Sequence, residues 1–449
     1  MSTLDLPDPR PERTAPTPAG RIEHPGAADP AATADVAIVG LGYVGLPTAL
    51  AYHHAGQRVI AFDISPQRRS AIARHDVDLL ASDHRRLHRA MDDPQFELVD
   101  DPEQLRRARA VIVCVPTPVD RHLVPDLTPL RSACETLVEQ TVPGQLLMLT
   151  STTYVGCTED LLVRPLRRRG LVAGEDIHVA FSAERIDPGS AAVRTEEVPR
   201  VVAGATPSCT SAAQRVLAAY AERVHPVPSL AVAEMTKLLE NTFRAVNIAL
   251  VNEFADICGS LGLEVTDVID AAATKPYGFM PFRPGPGVGG HCIPCDPHYL
   301  LWQLRRDRVD APMISTAMQQ IAARPTRVVE RIRDVLSRHG MGMPGARVLV
   351  SGVTYKPDVA DLRESPALEI LQRLIEAGVV VAFADPYVPI ATLPNGVDLL
   401  RVEDPTAFSP DLVLLHTAHT GVDTSWIPDS TLVLDATYGA HALPNRVAL

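Results

Sequence analysis

The chain has 449 residues, of which 46% are hydrophobic and 21% charged, and its formal net charge is −12. This length predicts two or three domains, each with enough apolar residues for its own core. The acidic balance argues against nucleic acids and anionic membranes as partners, and no apolar run approaches the roughly 18 residues of a membrane-spanning helix.

Residues 1–34 differ in composition from the rest of the chain. They hold seven prolines and almost no large apolar side chains, which predicts a disordered tail. The segment also lacks the apolar core of a secretory signal. The chain's seven cysteines follow no framework of spacings, which is typical of free thiols in a reducing compartment. A cytoplasmic protein is therefore expected.

A dinucleotide-binding pattern begins at Asp35. The sequence DVAIVGLGYVGLPTALAYHHAGQRVIAFD predicts a strand, a glycine turn, a helix and a second strand. Gly40, Gly42 and Gly45 form G-x-G-x-x-G, and Asp63 follows at the spacing of the ribose-binding acid. The glycines let a pyrophosphate approach the helix N-terminus, while the acid binds ribose hydroxyls and repels a 2′-phosphate. NAD is the expected cofactor.

Neighbouring residues complete the predicted cofactor site. Tyr43 and Val44 lie within the turn, and Arg68 follows Asp63 closely enough to stack on the adenine or to meet a phosphate. The apolar runs ARAVIVCVPTP, QLLMLTSTT, DIHVAFSAER and PRVVAGA extend the pattern to a parallel sheet of about six strands over residues 35–226.

Polar residues follow three of these predicted strands. Thr117, Thr152 and Glu184 each come just after a strand. In an open α/β sheet the ligand lies outside the carboxyl ends of the strands, so the three are expected to line one crevice. The alternative for each is an ordinary loop residue.

A long helix is predicted after Ser229, a good N-cap. The sequence has no proline or glycine until Gly259, and about 30 residues at 1.5 Å each give a rod of ~45 Å. Lys237 and Asn241 stand four residues apart on one face. Spacing alone leaves two interpretations open, a polar stripe in solvent or a pair that points into a cleft.

The loop PGPGVGGHCIPCDP surrounds Cys292, a candidate nucleophile. Gly289 would let the backbone come close to a ligand where a Cβ would clash. The same residues support two other interpretations, because Cys292-x-x-Cys295 flanked by His291 and His298 has the spacing of a zinc site or of a redox dithiol.

A second α/β unit is predicted from residue 336. MPGARVLVSGVTYKPDVADLRESPALEILQRLIEAGVVVAFADP gives strand, loop, helix and strand, and DLVLLHTAH and STLVLDAT add two more strands. It has no glycine fingerprint. Lys356 and Arg363 follow its first strand, where a phosphate would lie.

The motifs of the chain occur in the order seen in the UDP-glucose/GDP-mannose dehydrogenase family, which the chain resembles from residue 35 to 449: GLGYVGLP, CVPTP, STT, SAERIDPG, EMTKLLENTFRAVNIALVNE, PGPGVGGHCIPCDP and GVTYKPDVADLRESPALEI. The resemblance implies two Rossmann-like, doubly wound α/β domains joined by a central helical domain with a long spine helix. It implies an NAD domain at 35–226, a central dimerisation domain at 227–335 and a UDP-sugar domain at 336–449.

The resemblance also implies a reaction, the four-electron oxidation of a nucleotide sugar's C6 alcohol to a uronic acid for polysaccharide biosynthesis. Cys292 matches the thiol that forms a thiohemiacetal and then a thioester. Lys237 and Asn241 resemble the pair that stabilises the oxyanion and assists proton transfer.

Further roles follow from the same resemblance. Asp296 matches the carboxylate that orients the catalytic water or base, Glu184 the one that activates water for hydrolysis, and Thr152 the hydroxyl that helps to place it. Arg283 falls where the family contributes a side chain across the dimer. The positions implied to bind the sugar nucleotide are Glu184, Arg185, Lys237, Asn241, Arg283, Gly289, Lys356 and Arg363.

The SAERIDPG and thiol loops resemble the branch acting on UDP-N-acetylhexosamines, so UDP-N-acetylglucosamine or a related sugar is the expected substrate. UDP-glucose or dTDP-glucose is the alternative. The chain departs from the family pattern at Ala183, Val155 and Cys295, none of which removes a catalytic group, and at Arg283, which replaces an often aromatic or polar residue near the sugar and so bears on substrate identity. A zinc- or redox-thiol protein and a catalytically silent NAD-binding protein are the competing hypotheses, and the resemblance disfavours both.

Overall fold

The computed structural model of the chain describes residues 33–120, 122–185, 194–290 and 292–449. The predicted tail lies outside these ranges except for its last two residues, and so does His291 of the alternative metal site. The chain divides into two compact units. The first comprises the chain up to Val115 with Ser132–Thr150 and Thr158–Leu230, and the second comprises Pro116–Arg131, Ser151–Cys157 and Ala231–Leu449.

Eight strands form the sheet of the first unit: β1 Ala34–Val39, β2 Val59–Phe62, β3 Phe96–Val99, β4 Ala108–Val113, β5 Leu146–Leu149, β6 His178–Phe181, β7 Arg200–Gly204 and β8 Val224–Pro226. Their order is β3-β2-β1-β4-β5-β6-β7-β8, and β6 and β7 run antiparallel. The sequence predicted about six parallel strands. It missed β3 and β8, which are short and only partly buried, so that neither carries a continuous apolar run.

Within the described residues, six α-helices occur between the strands of this sheet along the chain: α1 Gly45–His54, α2 Pro66–Ala73, α3 Ala81–Met91, α4 Thr128–Gln140, α5 Arg164–Arg168 and α6 Pro207–Leu217. A 3₁₀ helix, Pro102–Arg107, and a π-helix, Glu159–Val163, complete this part. Strand β1 is buried along its whole length. It includes Asp35, whose carboxylate accepts hydrogen bonds from Arg58 at 3.1 and 3.2 Å and so remains paired in the interior.

The second unit has four long or medium helices before its sheet: α7 Leu230–Leu261, α8 Val265–Ala273, α9 Asp296–Asp307 and α10 Pro312–Arg338. Its sheet elements are β9 Arg347–Ser351, α11 Pro366–Glu376, β10 Val380–Ala384, β11 Ile390–Thr392, β12 Asp398–Leu400, α12 Pro405–Phe408, β13 Leu412–Leu415, β14 Leu432–Asp435 and β15 Arg446–Ala448. The five parallel strands run β10-β9-β13-β14-β15, beside a β11–β12 hairpin. The predicted fold class, two α/β sheets with a central helical part and a long helix, is confirmed.

Helix α7 distributes its side chains against the usual pattern. Three polar side chains are buried, since Glu234 is 1% exposed, Asn241 4% and Lys237 8%. Large apolar side chains at helical spacing are at least 40% exposed: Val232, Met235, Leu239, Phe243, Leu250, Phe254, Ile257 and Leu261. The interpretation of the polar face as a solvated stripe is therefore wrong. Across the described ranges, no helix combines the length and the apolarity that crossing a bilayer requires.

Candidate active site

The glycine turn between β1 and α1 has the backbone geometry of a pyrophosphate cradle. Gly40 has φ +88°, and a Cβ on Gly45 would lie 1.8 Å from the Gly40 carbonyl oxygen, so both positions require glycine for the turn itself. A Cβ on Gly42 would meet nothing within 4 Å. Gly42 is thus not needed for packing, and its bare backbone fits the close approach of a cofactor phosphate.

Asp63 ties the end of β2 to this turn. Its two carboxylate oxygens accept backbone N–H bonds from Leu41 and Ser65, each at 2.8 Å. Each oxygen keeps a lone pair for a ribose hydroxyl, so the residue fits its predicted role. Arg68 donates from Nε to the Leu41 carbonyl at 2.7 Å and so braces the turn. Tyr43 and Val44 lie in the same turn, and their contact with NAD stays a prediction.

In the second unit a buried carboxylate lies where α9 begins. Asp296 is 3% exposed, and its Oδ2 accepts a hydrogen bond from Nδ2 of Asn241 on α7. Burial raises the pKa of Asp296 to about 6, although the charge of Lys237 and hydrogen bonds from Asn241 and Thr152 oppose the rise. The four predicted residues therefore form one cluster, and its carboxyl can exchange a proton near neutral pH.

The two cysteines of the thiol loop have opposite environments. Cys292 is exposed, and its carbonyl accepts the Asp296 N–H at 2.9 Å, which places the thiol-bearing residue one turn before α9. The N-terminal end of a helix favours an anion such as a thiolate. Cys295 is 2% exposed, and burial, with the charges of Asp296 and Glu364, raises its pKa to about 12. It is therefore a protonated packing residue.

The segment that carries Thr152 is fixed by contacts that the sequence did not reveal. The Gly156 N–H donates to Oε2 of buried Glu234 at 2.6 Å. Gln303 on α9 both accepts from the Val155 N–H and donates to its carbonyl, at 3.0 and 2.8 Å. Helices α7 and α9 thus hold this loop from two sides. A glutamate and a glutamine within helices carry no local signal for such a role.

Thr117 also belongs to the second unit, where its side chain approaches the Tyr299 hydroxyl on α9. The structure thus places Thr117 and Thr152 together with α9 in the second unit, whereas Glu184 belongs to the first. The crevice shared by all three stays a prediction.

The glycines of the thiol loop pack against the loop that follows β9. A Cβ on Gly289 would lie 2.5 Å from Tyr355 Cβ and 2.7 Å from the Glu364 carbonyl oxygen. The Gly290 N–H donates to the Arg363 carbonyl at 2.9 Å. Gly289 was predicted to admit a ligand, but in this structure it admits Tyr355. This contact joins the thiol loop to the segment with the predicted phosphate-binding residues.

The predicted cations of the second unit have protein contacts. Arg363 pairs with the buried carboxylate of Asp361, with Nη2 at 2.6 Å from Oδ2, and Lys356 Nζ lies 5.7 Å from the Tyr355 ring centroid. Arg283, predicted to act across a dimer, is exposed and pairs with exposed Asp270 of its own chain.

In the first unit, Glu184 follows β6 and is held by an arginine that the sequence analysis missed. Its Oε1 accepts from Nη1 of Arg200 and, at 2.7 Å, from the Arg185 N–H. Arg185 Nη1 donates in turn to the Pro199 carbonyl at 2.9 Å. An arginine that opens an apolar strand was the available signal for a buried ion pair.

Comparisons with family models and known relatives identify the family of the chain. The chain matches three domains of the UDP-glucose/GDP-mannose dehydrogenase family: the NAD binding domain over residues 34–222, the central domain over 231–321 and the UDP binding domain over 349–438. It is 35% identical over 390 residues to a UDP-N-acetyl-D-glucosamine 6-dehydrogenase of Pseudomonas aeruginosa, covering 86% of this chain and 90% of the relative.

Two further proteins extend the similarity. An NDP-N-acetyl-D-galactosaminuronic acid dehydrogenase of Ralstonia solanacearum is 33% identical over 401 residues, covering 86% of this chain and 90% of the relative. The solved UDP-D-ManNAc dehydrogenase of Pyrococcus horikoshii superposes with a TM-score of 0.83 at 29% identity, covering 92% of this chain and 98% of that one. The chain belongs to the UDP-glucose/GDP-mannose dehydrogenase family and is an NAD-dependent oxidoreductase.

Proposed function

We propose that this member of the family oxidises C6 of a UDP-N-acetylhexosamine to a carboxylate, with two NAD consumed for each sugar. The observation that carries the proposal is the turn from Cys292 to Asp296, which joins an exposed thiol to a buried carboxyl hydrogen-bonded to Asn241 and close to Lys237. The cluster unites a nucleophile, a cation and a proton-exchanging group, as covalent oxidation of an aldehyde requires.

The first half of the reaction converts the C6 alcohol to an aldehyde. NAD, when bound at the glycine turn, supplies the hydride acceptor for both oxidations. Lys237 and Asn241 stabilise the negative charge that develops on the sugar oxygen, and the hydroxyl proton leaves through the Asp296 cluster. Burial of Lys237 strengthens this interaction because little water screens it.

In the second half, the Cys292 thiolate adds to the aldehyde carbon to give a thiohemiacetal, and loss of a second hydride and of the hydroxyl proton leaves a thioester. Water then attacks the thioester carbon, the C–S bond breaks, and the products are a carboxylate and the regenerated thiol. We assign activation of this water to Glu184 and its placement to Thr152.

The substrate class is supported by the relatives. The three described above bear names that include N-acetylated hexosamines with different stereochemistry, and one of them leaves the nucleotide unspecified. The UDP binding domain of the family supports uridine in this chain. UDP-N-acetylglucosamine is the substrate we favour within the class.

A panel of nucleotide sugars separates the alternatives. Purified protein should form NADH with UDP-N-acetylglucosamine or its epimers, at two NADH for each carboxylate. If UDP-glucose or dTDP-glucose gives a kcat/KM tenfold higher than every UDP-N-acetylhexosamine, the substrate assignment is wrong. If no sugar yields NADH while NAD still binds, the protein is a silent NAD-binding member.

We also propose that a second copy of the chain covers the exposed apolar stripe of α7. Eight large apolar side chains on one helix exceed the scattered exposure of a monomer, and a twofold interface pairs one patch with itself. Leu239→Glu should shift the protein from dimer to monomer in light scattering. Leu400→Glu, at a site that is 72% exposed on β12, should leave the dimer intact and serves as the control.

The functional domains are proposed at the predicted bounds, an NAD domain at 35–226, a central domain at 227–335 and a nucleotide-sugar domain at 336–449. The matches to the three family models support this division. The last proposed boundary falls within α10, so that one helix enters both parts. A cytoplasmic location is proposed because a catalytic thiol needs a reducing compartment.

A further inference from the structure

Glu184 is bound by a guanidinium that lies almost completely inside the first unit. Arg200 is the first residue of β7, and its side chain is 2% exposed, against 11% for Glu184. We propose that Arg200 is the positioning residue that holds the Glu184 carboxylate in the orientation that its proposed role as a general base requires. This inference rests on the proposed function, because it assumes that Glu184 activates the water.

The topology explains why these two residues meet. Strand β7 is antiparallel to β6, so its first residue lies beside the carboxyl end of β6, where the Glu184 segment begins. The Glu184 N–H donates to the Thr150 carbonyl at 3.2 Å. Arg185 donates to the Pro199 carbonyl, and Arg200 donates to the Glu184 carboxylate. The consecutive residues Glu184 and Arg185 are therefore both bound to the consecutive residues Pro199 and Arg200. The backbone and the side chain of Glu184 are both fixed.

Burial and charge explain why Arg200 and Glu184 stay paired. An arginine side chain is always protonated in proteins, and a buried charge is tolerated only when it is paired. Within the described ranges, Glu184 supplies the one carboxylate that forms an ion pair with Arg200. Nε and Nη2 of Arg200 are buried and find no hydrogen-bond partner among the described residues. The Glu184 carboxylate therefore compensates this buried cation, and the ion pair restricts the Glu184 side chain to one position.

Three titratable groups that face the pair are uncharged near neutral pH. Burial raises the pKa of Tyr52, Cys114 and Tyr220, and the charge of Glu184 adds to each rise. The Arg200 guanidinium lies 5.3 Å from the Tyr220 ring centroid, a cation–π distance. Charged groups near the pair include Arg185 and Glu196; the charge of Glu196 also acts on Tyr220, and its carboxylate pairs with Arg86 at 2.7 Å.

The test compares three variants by intact-protein mass spectrometry during turnover with NAD and UDP-N-acetylglucosamine. Glu184→Gln should accumulate a sugar-nucleotide thioester on Cys292 because hydrolysis is slowed. Arg200→Met should accumulate the same adduct and lower kcat at least about 10-fold, with NAD affinity unchanged. The double variant should have the kcat of Glu184→Gln alone, since the two residues act as one unit.

A conservative variant supplies a readout that a merely structural role would not change. Arg200→Lys keeps the charge but loses the forked guanidinium, so it should restore part of kcat and reduce the adduct that Arg200→Met accumulates.

A matched control is Arg58→Met, which removes another partly buried ion pair of the same unit, between β1 and the start of β2 and therefore away from β6 and β7. It should lower thermal stability without accumulating adduct. If Arg200→Met behaves like this control, or if the double variant is much slower than Glu184→Gln, the role assigned to Arg200 is wrong.

The remaining outcomes separate the two proposals. An adduct with Glu184→Gln but none with Arg200→Met overturns only the positioning role. If Glu184→Gln accumulates no adduct although the wild type forms carboxylate, the assigned role of Glu184 fails, and the inference for Arg200 fails with it. If Arg200→Met does not fold, the adduct and kcat are measured instead in the charge-neutral double variant and in Arg200→Lys.

Discussion

The buried carboxyl of Asp296 should make the protein's stability depend on pH in an unusual direction. Its pKa is about 6 in the folded protein, against an ordinary value of 3.8. Since the folded state holds this proton more tightly than the unfolded chain, protonation stabilises the fold. That contribution is complete below pH 3.8 and is lost as the pH rises through about 6.

The size of the effect follows from the same difference. About two pKa units at 1.36 kcal/mol each give ~3 kcal/mol between the two ends of the window. In a domain of 150–250 residues, 1 kcal/mol shifts Tm by roughly 2 to 4 °C. At pH 4 the unfolded chain is already partly ionised, so about 2.4 kcal/mol of this effect falls between pH 4 and pH 8, and the carboxyl should account for a change in Tm of roughly 5 to 10 °C over that range.

The Asp296→Asn variant isolates this contribution, because the amide keeps the shape and an oxygen that accepts from Asn241. Thermal unfolding of variant and wild type is measured from pH 4 to pH 8, and the difference in Tm is plotted. Effects of other groups cancel in that difference. The variant should gain relative to the wild type as the pH rises through 6, while its kcat falls sharply.

Asp435→Asn is the matched control, since Asp435 is also fully buried in the second unit. Burial opposes ionisation there, but hydrogen bonds from Thr437 and the Ala440 N–H and the pairing with Arg446 lower its pKa. Since this contribution is lost only below the ordinary pKa of 3.8, the Tm difference between the wild type and this variant should stay nearly constant from pH 8 to pH 4. A Tm difference for Asp296→Asn that is independent of pH would refute the reasoning.

Other consequences can be tested directly. Cys292→Ala should abolish carboxylate formation with NAD binding intact, whereas Cys295→Val should keep most activity, as measured by the NADH yield. A comparable loss of NADH yield in both variants would favour a zinc site or a dithiol. Lys237→Ala should lower kcat on the order of 100-fold without weakening NAD binding in a fluorescence titration, and an unchanged kcat would remove the cation from the mechanism. The wild type should prefer NAD over NADP by at least about tenfold in kcat/KM, and Asp63→Ala should reduce this preference. Equal kcat/KM values for the two cofactors in the wild type would contradict the role of Asp63.

Several features of this protein could be predicted from the sequence because they depend on residues close together along the chain. The glycines from Gly40 to Gly45, with Asp63 after the next strand, fix a turn whose geometry is local. The length of α7 follows from a run without proline or early glycine, and it spans 32 residues. The loop around Cys292 was visible in its density of glycine and proline.

Only the tertiary structure decided which faces and side chains meet, because these contacts join residues far apart in sequence. Periodicity could not say that Lys237 and Asn241 lie on the buried face of α7, since that depends on Asp296 at the start of another helix. Gly289 leaves room for Tyr355, a residue 66 positions further along the chain, and its glycine character alone does not distinguish a ligand from such a neighbour. The pairing of Glu184 with Arg200 follows from the antiparallel register of β7 on β6, and no local pattern specifies that register.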